Sequence, residues 1–438
     1  VRSRSWALAA LVLAGACTPT SSSTSGTPAT SAPPPQTTSS TADTTIATAT
    51  TLPPGTEALP ESLRRQIAEL IAVTEEIRGL TFQEPPKVTV VSAEELAERV
   101  RAQVEEDLDT VEEDEALYRL LGLFPADADL LTLLLDLYGE QVGGYYDGEI
   151  GELVVPVREE TFSPLQEATL VHELTHALTD QHFEFQQRLT DLIDADSFDE
   201  ATALQALIEG DATLAEILYV QDLPTARQQE FLEETFGTES DVFQSAPLFL
   251  QQSLLFPYSE GLGFVQGLFE SGGFQRVDQA YGDPPLSSEQ IIDPFAYGRD
   301  EPREVALPAL TLDDYELVYE STWGELGFRL MFDQVLGGDE DASAGWGGDR
   351  FGLYSNGAEV VFLLAYEGDR PDDATELAGA LAEYIPTGMA AGTGSSAGDG
   401  RLYEGDDYAF YSVANDGLVL VAASDPAAGP PARAALAG

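Results

Sequence analysis

The sequence predicts an α+β protein: a mainly helical region that carries a small sheet, followed by a small α+β domain with an antiparallel sheet. Three features of the 438 residues predict it. Apolar residues recur at helical spacing in segment after segment from residue 60 to about 220. Two strand-like passages, "FQEPPKVTVV" and "GGYYDGEIGELVVP", interrupt the helices. After about residue 300 the texture changes to hairpins, one on either side of a single helix.

The N-terminus reads as a targeting segment, not as fold. Arg2 and Arg4 precede an apolar run from Trp6 to Ala16, long enough for a signal-peptide h-region and too short to span a bilayer. The run ends in Leu13-Ala14-Gly15-Ala16-Cys17, and Cys17 is the single cysteine of the chain. Small residues before such a cysteine resemble a bacterial lipobox, which implies lipidation at Cys17 and a place on the outer face of the cell membrane. Ala14 stands where that pattern has a larger aliphatic residue, so ordinary cleavage and secretion are the alternative. One cysteine also means no intrachain disulfide. Residues 18–56 are almost entirely Thr, Ser, Pro and Ala, the composition of a disordered tether.

A helical region is expected over 57–300. Segments 60–79 and 92–122 have helical periodicity, with the Pro pair of "FQEPPKVTVV" ending one element before a short strand. "LLTLLLDLYGEQ" (130–141) predicts a mostly buried helix, and 143–156 predicts two short strands around Asp147-Gly148. Ser163-Pro164-Leu165-Gln166 is a capping box with Pro at the first helical position, so a helix starts there. Ser197-x-x-Glu200 predicts the start of another. A second domain, 301–438, is expected to run β-β-α-β-β. Its hairpins are 351–367, turning at Asn356-Gly357, and 408–424, turning at Asp416-Gly417, with a helix at 372–384 between them. "GWGGDR" (345–350) lacks the features of a phosphate loop and reads as a turn.

Charge narrows the function classes. The chain has 77 Asp and Glu against 20 Lys and Arg, a net charge of −57, and its one lysine is Lys87. Such a surface repels phosphate backbones and argues against nucleic-acid partners. It suits solubility in a salty environment or a cationic substrate.

The chemistry concentrates in "TLVHELTHALTDQHF" (169–183), which holds all three histidines, His172, His176 and His182. Leu170, Val171, Leu174, Ala177 and Leu178 share one face of the expected helix. At ~100° per residue, His172 and His176 fall almost opposite that face, toward an expected cleft. Histidines four apart lie about 6 Å apart along the axis and can converge on one ion. Glu173 is rotated away from both, placed to take a proton from water activated by the metal.

The H-E-x-x-H string resembles the zinc metallopeptidases of that superfamily, and more narrowly the gluzincins, in which a glutamate on the next helix completes the zinc site. "ALIEGDATLAEI" (206–217) matches that second half, which implies Glu209 as third ligand. The resemblance covers about residues 143–220, and strings such as "HALTDQHF" and "FPYSEGLGFVQGLF" resemble a group of exported bacterial metallopeptidase-like proteins. It implies a Zn²⁺ cofactor, a peptide or protein substrate and water-mediated amide hydrolysis with Glu173 as general base. It also implies a strand edge, here near 150–156, that aligns the substrate backbone. Gluzincins often supply a Tyr or His to the oxyanion. Tyr258 in "FPYSEG" is the candidate, ahead of Tyr219.

His182 competes with Glu209. H-E-L-T-H-A-L-T-D-Q-H has the histidine spacing of the metzincins, but Thr179 occupies the glycine position that lets the chain turn. In a continuing helix His182 lies roughly 120° from His176 and cannot share its ion. A metzincin also has a methionine turn, and the two methionines here are Met331 and Met389. The rival class is a surface scaffold lipoprotein with a structural zinc site of four protein ligands.

Overall fold

A computed structural model describes residues 54–436, apart from 58, 108–109, 142–143, 149, 157–159, 237–239, 339 and 416. The leader, Cys17 and the expected tether up to residue 53 lie outside the described residues, as does Asp416 of the second hairpin turn. The tether ends sooner than residue 56. Pro54 O accepts from Val88 N at 3.1 Å, and Thr56 is buried.

The helical part begins with α1 (Glu61–Arg78), β1 (Lys87–Val91), α2 (Ala93–Asp107), α3 (Val111–Leu120) and α4 (Leu130–Gln141). β2 (Tyr145–Asp147) and β3 (Glu152–Pro156) lead to α5 (Pro164–Phe183), α6 (Phe185–Asp194), α7 (Phe198–Asp222), α8 (Thr225–Thr235) and α9 (Asp241–Ser245). α10 (Leu248–Gly272), α11 (Phe274–Gly282) and α12 (Ser288–Ile292) complete it. The chain continues through β4 (Glu316–Ser321), α13 (Gly324–Leu336), α14 (Glu340–Ser343), β5 (Trp346–Ser355) and β6 (Val360–Gly368). Last come α15 (Asp373–Gly388), β7 (Ser395–Ala397), β8 (Gly400–Glu404), β9 (Tyr408–Ala414), β10 (Gly417–Ala423) and α16 (Gly429–Ala435). The α+β class is therefore as the sequence predicts.

The small sheet has the order β1-β3-β2, with β3 parallel to β1 and antiparallel to β2. The expected substrate-aligning edge at 150–156 is corrected by this order. β3 is the middle strand, paired with β1 on one side and β2 on the other, and it is buried along its whole length. Leu153 and Val155 lie in the core under α1 and α5, and Val154 lies in the core shared with the large sheet.

The large sheet is antiparallel throughout, in the order β4-β5-β6-β10-β9-β8-β7. Both predicted hairpins, β5–β6 and β9–β10, form its centre, and the helix between them, α15, packs on its face. β4 extends one edge and the β7–β8 hairpin the other. "GWGGDR" is not a turn. Trp346–Arg350 opens β5, where glycine is needed because a Cβ on Gly348 would sit 2.5 Å from Arg303 O. Within that stretch Asp349 accepts from Trp323 N at 2.7 Å, Gly324 N at 2.9 Å and Trp346 Nε1 at 2.7 Å, which anchors the start of α13.

Period-two alternation buries both faces of this sheet. Phe362, Leu364 and Tyr366 look inward, and Val361 and Leu363 look to the other side, under Leu312, Ala428 and Ala432. The inward face shares one core with Leu96, Leu117, Tyr118, Leu121, Leu130 and Phe249 from the helical part. Residue 300 thus falls in a connecting segment between elements but not between cores.

Two long helices cross tightly. A Cβ on Gly210 of α7 would lie 2.2 Å from Gly261 O of α10, and one on Gly261 would lie 2.2 Å from Ala206 O. Gly210→Ala is expected to cost ~1–3 kcal/mol or more by forcing the helices apart. Gly263→Ala, where nothing lies within 4 Å, should be neutral or slightly stabilising. Paired thermal melts of the two variants check this.

Candidate metal centre

α5 starts as the sequence dictates. Ser163 Oγ accepts from Gln166 N at 3.4 Å, and Gln166 Oε1 accepts from Ser163 N at 3.0 Å. The helix then runs unbroken through Thr179, whose Oγ1 donates to Thr175 O at 2.8 Å, and ends at Glu184 with φ 53°. Leu170, Val171, Leu174 and Ala177 pack against α1, β1 and β3. The opposite face, with His172 and His176, is expected to look into a cleft and instead lies against α7, so both histidines are buried.

α7 begins after Ser197 as expected, but Ser197 makes no side-chain cap. Its ψ of 61° departs from the extended geometry that aims a capping oxygen at the helix. Glu209 sits mid-helix and only 3% exposed, beside the Gly210–Gly261 crossing.

Three ligand atoms converge there. Glu209 Oε2 is 3.1 Å from His172 Nε2 and 3.4 Å from His176 Nε2, and the two Nε2 atoms are 2.9 Å apart. Tetrahedral Zn²⁺ with bonds of ~2.1 Å separates its ligands by roughly 3.3 Å, so this His₂Glu set fits one face of its coordination sphere. Burial opposes the charge on Glu209, yet His176 and His172, through charge and hydrogen bonds, hold its carboxyl down at about 2. Among the described residues no fourth His, Cys, Asp or Glu joins this set.

Glu173 is 1% exposed and stands outside the trio. Its Oε2 accepts from Tyr146 N of β2 at 2.9 Å, while Oε1 is buried without a hydrogen-bond partner among the described residues. Burial pushes its carboxyl up to about 7, against the pull of His176 and His172. That orphaned oxygen is what a proton-accepting carboxylate offers to a water held by the metal.

His182 takes no part. Its Nε2 bonds to Thr81 O at 2.8 Å, on another side of the same helix. Tyr258 of α10 approaches, with its ring centroid 6.3 Å from that of His172. Tyr219 is engaged elsewhere, donating to Glu167 Oε2 at 2.6 Å. Met331 and Met389 are buried in the core shared with the large sheet.

Two contributors are absent from the sequence reading. Glu216 Oε2 lies 3.5 Å from His172 Nδ1, close behind that ring but short of a hydrogen bond. Its signal was its place seven residues after Glu209, two helical turns along one face. Tyr146 steadies the base through its N–H, and its hydroxyl donates to Asp180 Oδ2 at 2.9 Å. A main-chain donor carries no side-chain signal.

Comparison with known proteins reaches only the C-terminal part. Residues 315–430, which contain the large sheet, match a family described as a domain of unknown function, DUF8575. No curated protein and no solved structure matches the chain.

Proposed function

We propose that this protein is a zinc-dependent metallopeptidase that hydrolyses peptide bonds with Glu173 as general base. The observation that carries the reading is the convergence of His172 Nε2, His176 Nε2 and Glu209 Oε2 within 3.4 Å, with Glu173 beside the trio but outside it. Three protein ligands and an adjacent carboxylate are the pattern of a catalytic site, whereas structural zinc takes four protein ligands.

Bound zinc supplies Lewis acidity, polarising the scissile carbonyl and making water a stronger acid. Glu173 takes the proton of the attacking water and passes it to the amine nitrogen as the C–N bond breaks. The negative charge of Glu216 behind the His172 ring favours that ring's hold on a cation, and the Tyr146 N–H keeps the Glu173 carboxylate from rotating. The Tyr258 hydroxyl keeps its proton and donates a hydrogen bond to the carbonyl oxygen as negative charge grows there. Tyr258→Phe is expected to lower kcat with little change in KM, checked by steady-state kinetics on a peptide. Unchanged kinetics would remove Tyr258 from this role.

The test of the whole reading is metal analysis of the full chain, coupled to digestion of an unfolded casein-like mixture. One equivalent of zinc, with cleavage abolished by chelator and restored by zinc, is the expected result. One equivalent of zinc with no cleavage of any peptide would assign the site to the rival structural role.

The same reading tethers the enzyme outside the cell through a lipid on Cys17. No helix among the described residues is long and apolar enough to cross a membrane. Metabolic labelling with a fatty-acid analogue should mark the protein, and Cys17→Ser should abolish the label. A mature N-terminus other than Cys17, without label, would replace the anchor by secretion.

A further inference from the structure

A second set of ligating groups lies at the junction between the helical part and the large sheet. Glu289 of α12, Asp300 of the following segment and Asp369 after β6 bring carboxylate oxygens within 4.8 Å of one another. Oxygens bound to one Ca²⁺ at ~2.4 Å can be no further apart than ~4.8 Å, so this set can share such an ion. Glu325 of α13 lies outside the set but near it, since its charge acts on Glu289 and that of Asp369 acts on Glu325.

Clustered acids on so acidic a protein mean little by themselves. Burial sets these apart. Glu289 is 7% exposed and Glu325 6%, whereas acidic side chains avoid the interior unless they are paired. The Glu289 carboxylate has no hydrogen bond or ion pair among the described residues, and the charges that act on it most are carboxylates, Glu325, Asp369, Asp300 and Asp199. Two cations act on Asp369, Arg303 and Arg370; Arg303 Nη2 is 3.8 Å from Asp369 Oδ1 and donates to Asp369 O at 3.0 Å. Arg329, on the next turn of α13, acts on Glu325.

We propose that Glu289, Asp300 and Asp369, with Glu325 beside them, bind a hard divalent cation, Ca²⁺, that fastens the helical part to the large sheet. All the donors are oxygens, which selects calcium-like ions over the softer metal of the histidine centre. Burial pushes both Glu289 and Glu325 up to about 8, reinforced at Glu289 by neighbouring carboxylates and opposed at Glu325 by Arg329.

The site is tested by calcium titration and thermal melting of the full chain after chelation. One Ca²⁺ should bind with Kd on the order of 10⁻⁴ M or tighter, the range of extracellular calcium modules, and raise the melting temperature. Glu289→Gln/Asp369→Asn should weaken binding at least tenfold and abolish the rise. The same double variant should melt higher than wild type in chelator, because a buried repulsion is gone; a variant that merely misfolds would melt lower. Glu230→Gln/Glu233→Gln, an equal charge removal on exposed positions of α8, should keep the full response. His172→Ala should keep it too, which separates this site from the zinc centre. No response at calcium concentrations on the order of 10 mM, or equal loss in the α8 variant, would overturn the proposal.

Discussion

Glu173→Gln should bind its full equivalent of zinc and lose peptide hydrolysis by roughly 10²–10⁴-fold, the contribution of a positioned general base. The geometry separates the two effects. Glu173 stands outside the trio formed by His172, His176 and Glu209, so metal retention does not depend on its charge. Glutamine has the same shape and keeps an oxygen for the Tyr146 N–H, so the local packing survives the change. What it lacks is basicity. The loss should therefore appear in kcat, with substrate affinity little changed. Near-wild-type turnover, measured alongside zinc content in one preparation, would rule out Glu173 as the base.

Glu209→Ala should lower zinc affinity far more than His182→Ala, by more than the ~10–100-fold that loss of an outer partner costs. Glu209 Oε2 lies within 3.4 Å of both Nε2 atoms, whereas His182 is bonded to Thr81 O away from them. Removing Glu209 leaves two buried histidines to hold a dication without a compensating negative charge. Glu209→Gln keeps the packing while removing the charge, and it should rank between wild type and alanine. A competition titration against a chromophoric chelator ranks all four proteins. The reverse order, with His182→Ala the worse, would transfer the site to the metzincin arrangement.

Much of this site was legible because its signals are local. The capping box at Ser163, the four-residue spacing of His172 and His176 and the glycine beside Glu209 are each read within a few residues. The continuation of α5 past Thr179 was readable in the same way, since a β-branched residue resists the turn that would bring His182 round. The environment of the histidines was not legible. The face they occupy is polar in sequence and looks open, but α7 has buried residues on every side and closes over it. The order of the small sheet was also hidden, because a parallel partnership between Val88–Val91 and Glu152–Pro156 joins segments 65 residues apart in register. In the large sheet the Asn356-Gly357 turn fixed one hairpin, whereas β4 and β7 are short edge strands, each paired on one side only and so weakly marked in sequence.

The continuity of the core across residue 300 bears on how such a domain can be inherited. The matched region, 315–430, is a unit in sequence but shares its core in space: α13 and α15 cover the inward face of its sheet together with Leu117, Tyr118, Leu121 and Phe249 from the helical part. Tyr384 even donates its hydroxyl to Leu121 O across that line. A gene that acquired only the matched segment would bring α13 and α15 as a partial cover and leave the apolar surface now packed on α3, α4 and α10 wet, an aggregation hazard. Transfer between proteins therefore has to carry a cover with it, or find one waiting. The meaning of the domain is best sought in the pairing of sheet and cover, with the helices that close its core read as part of its definition.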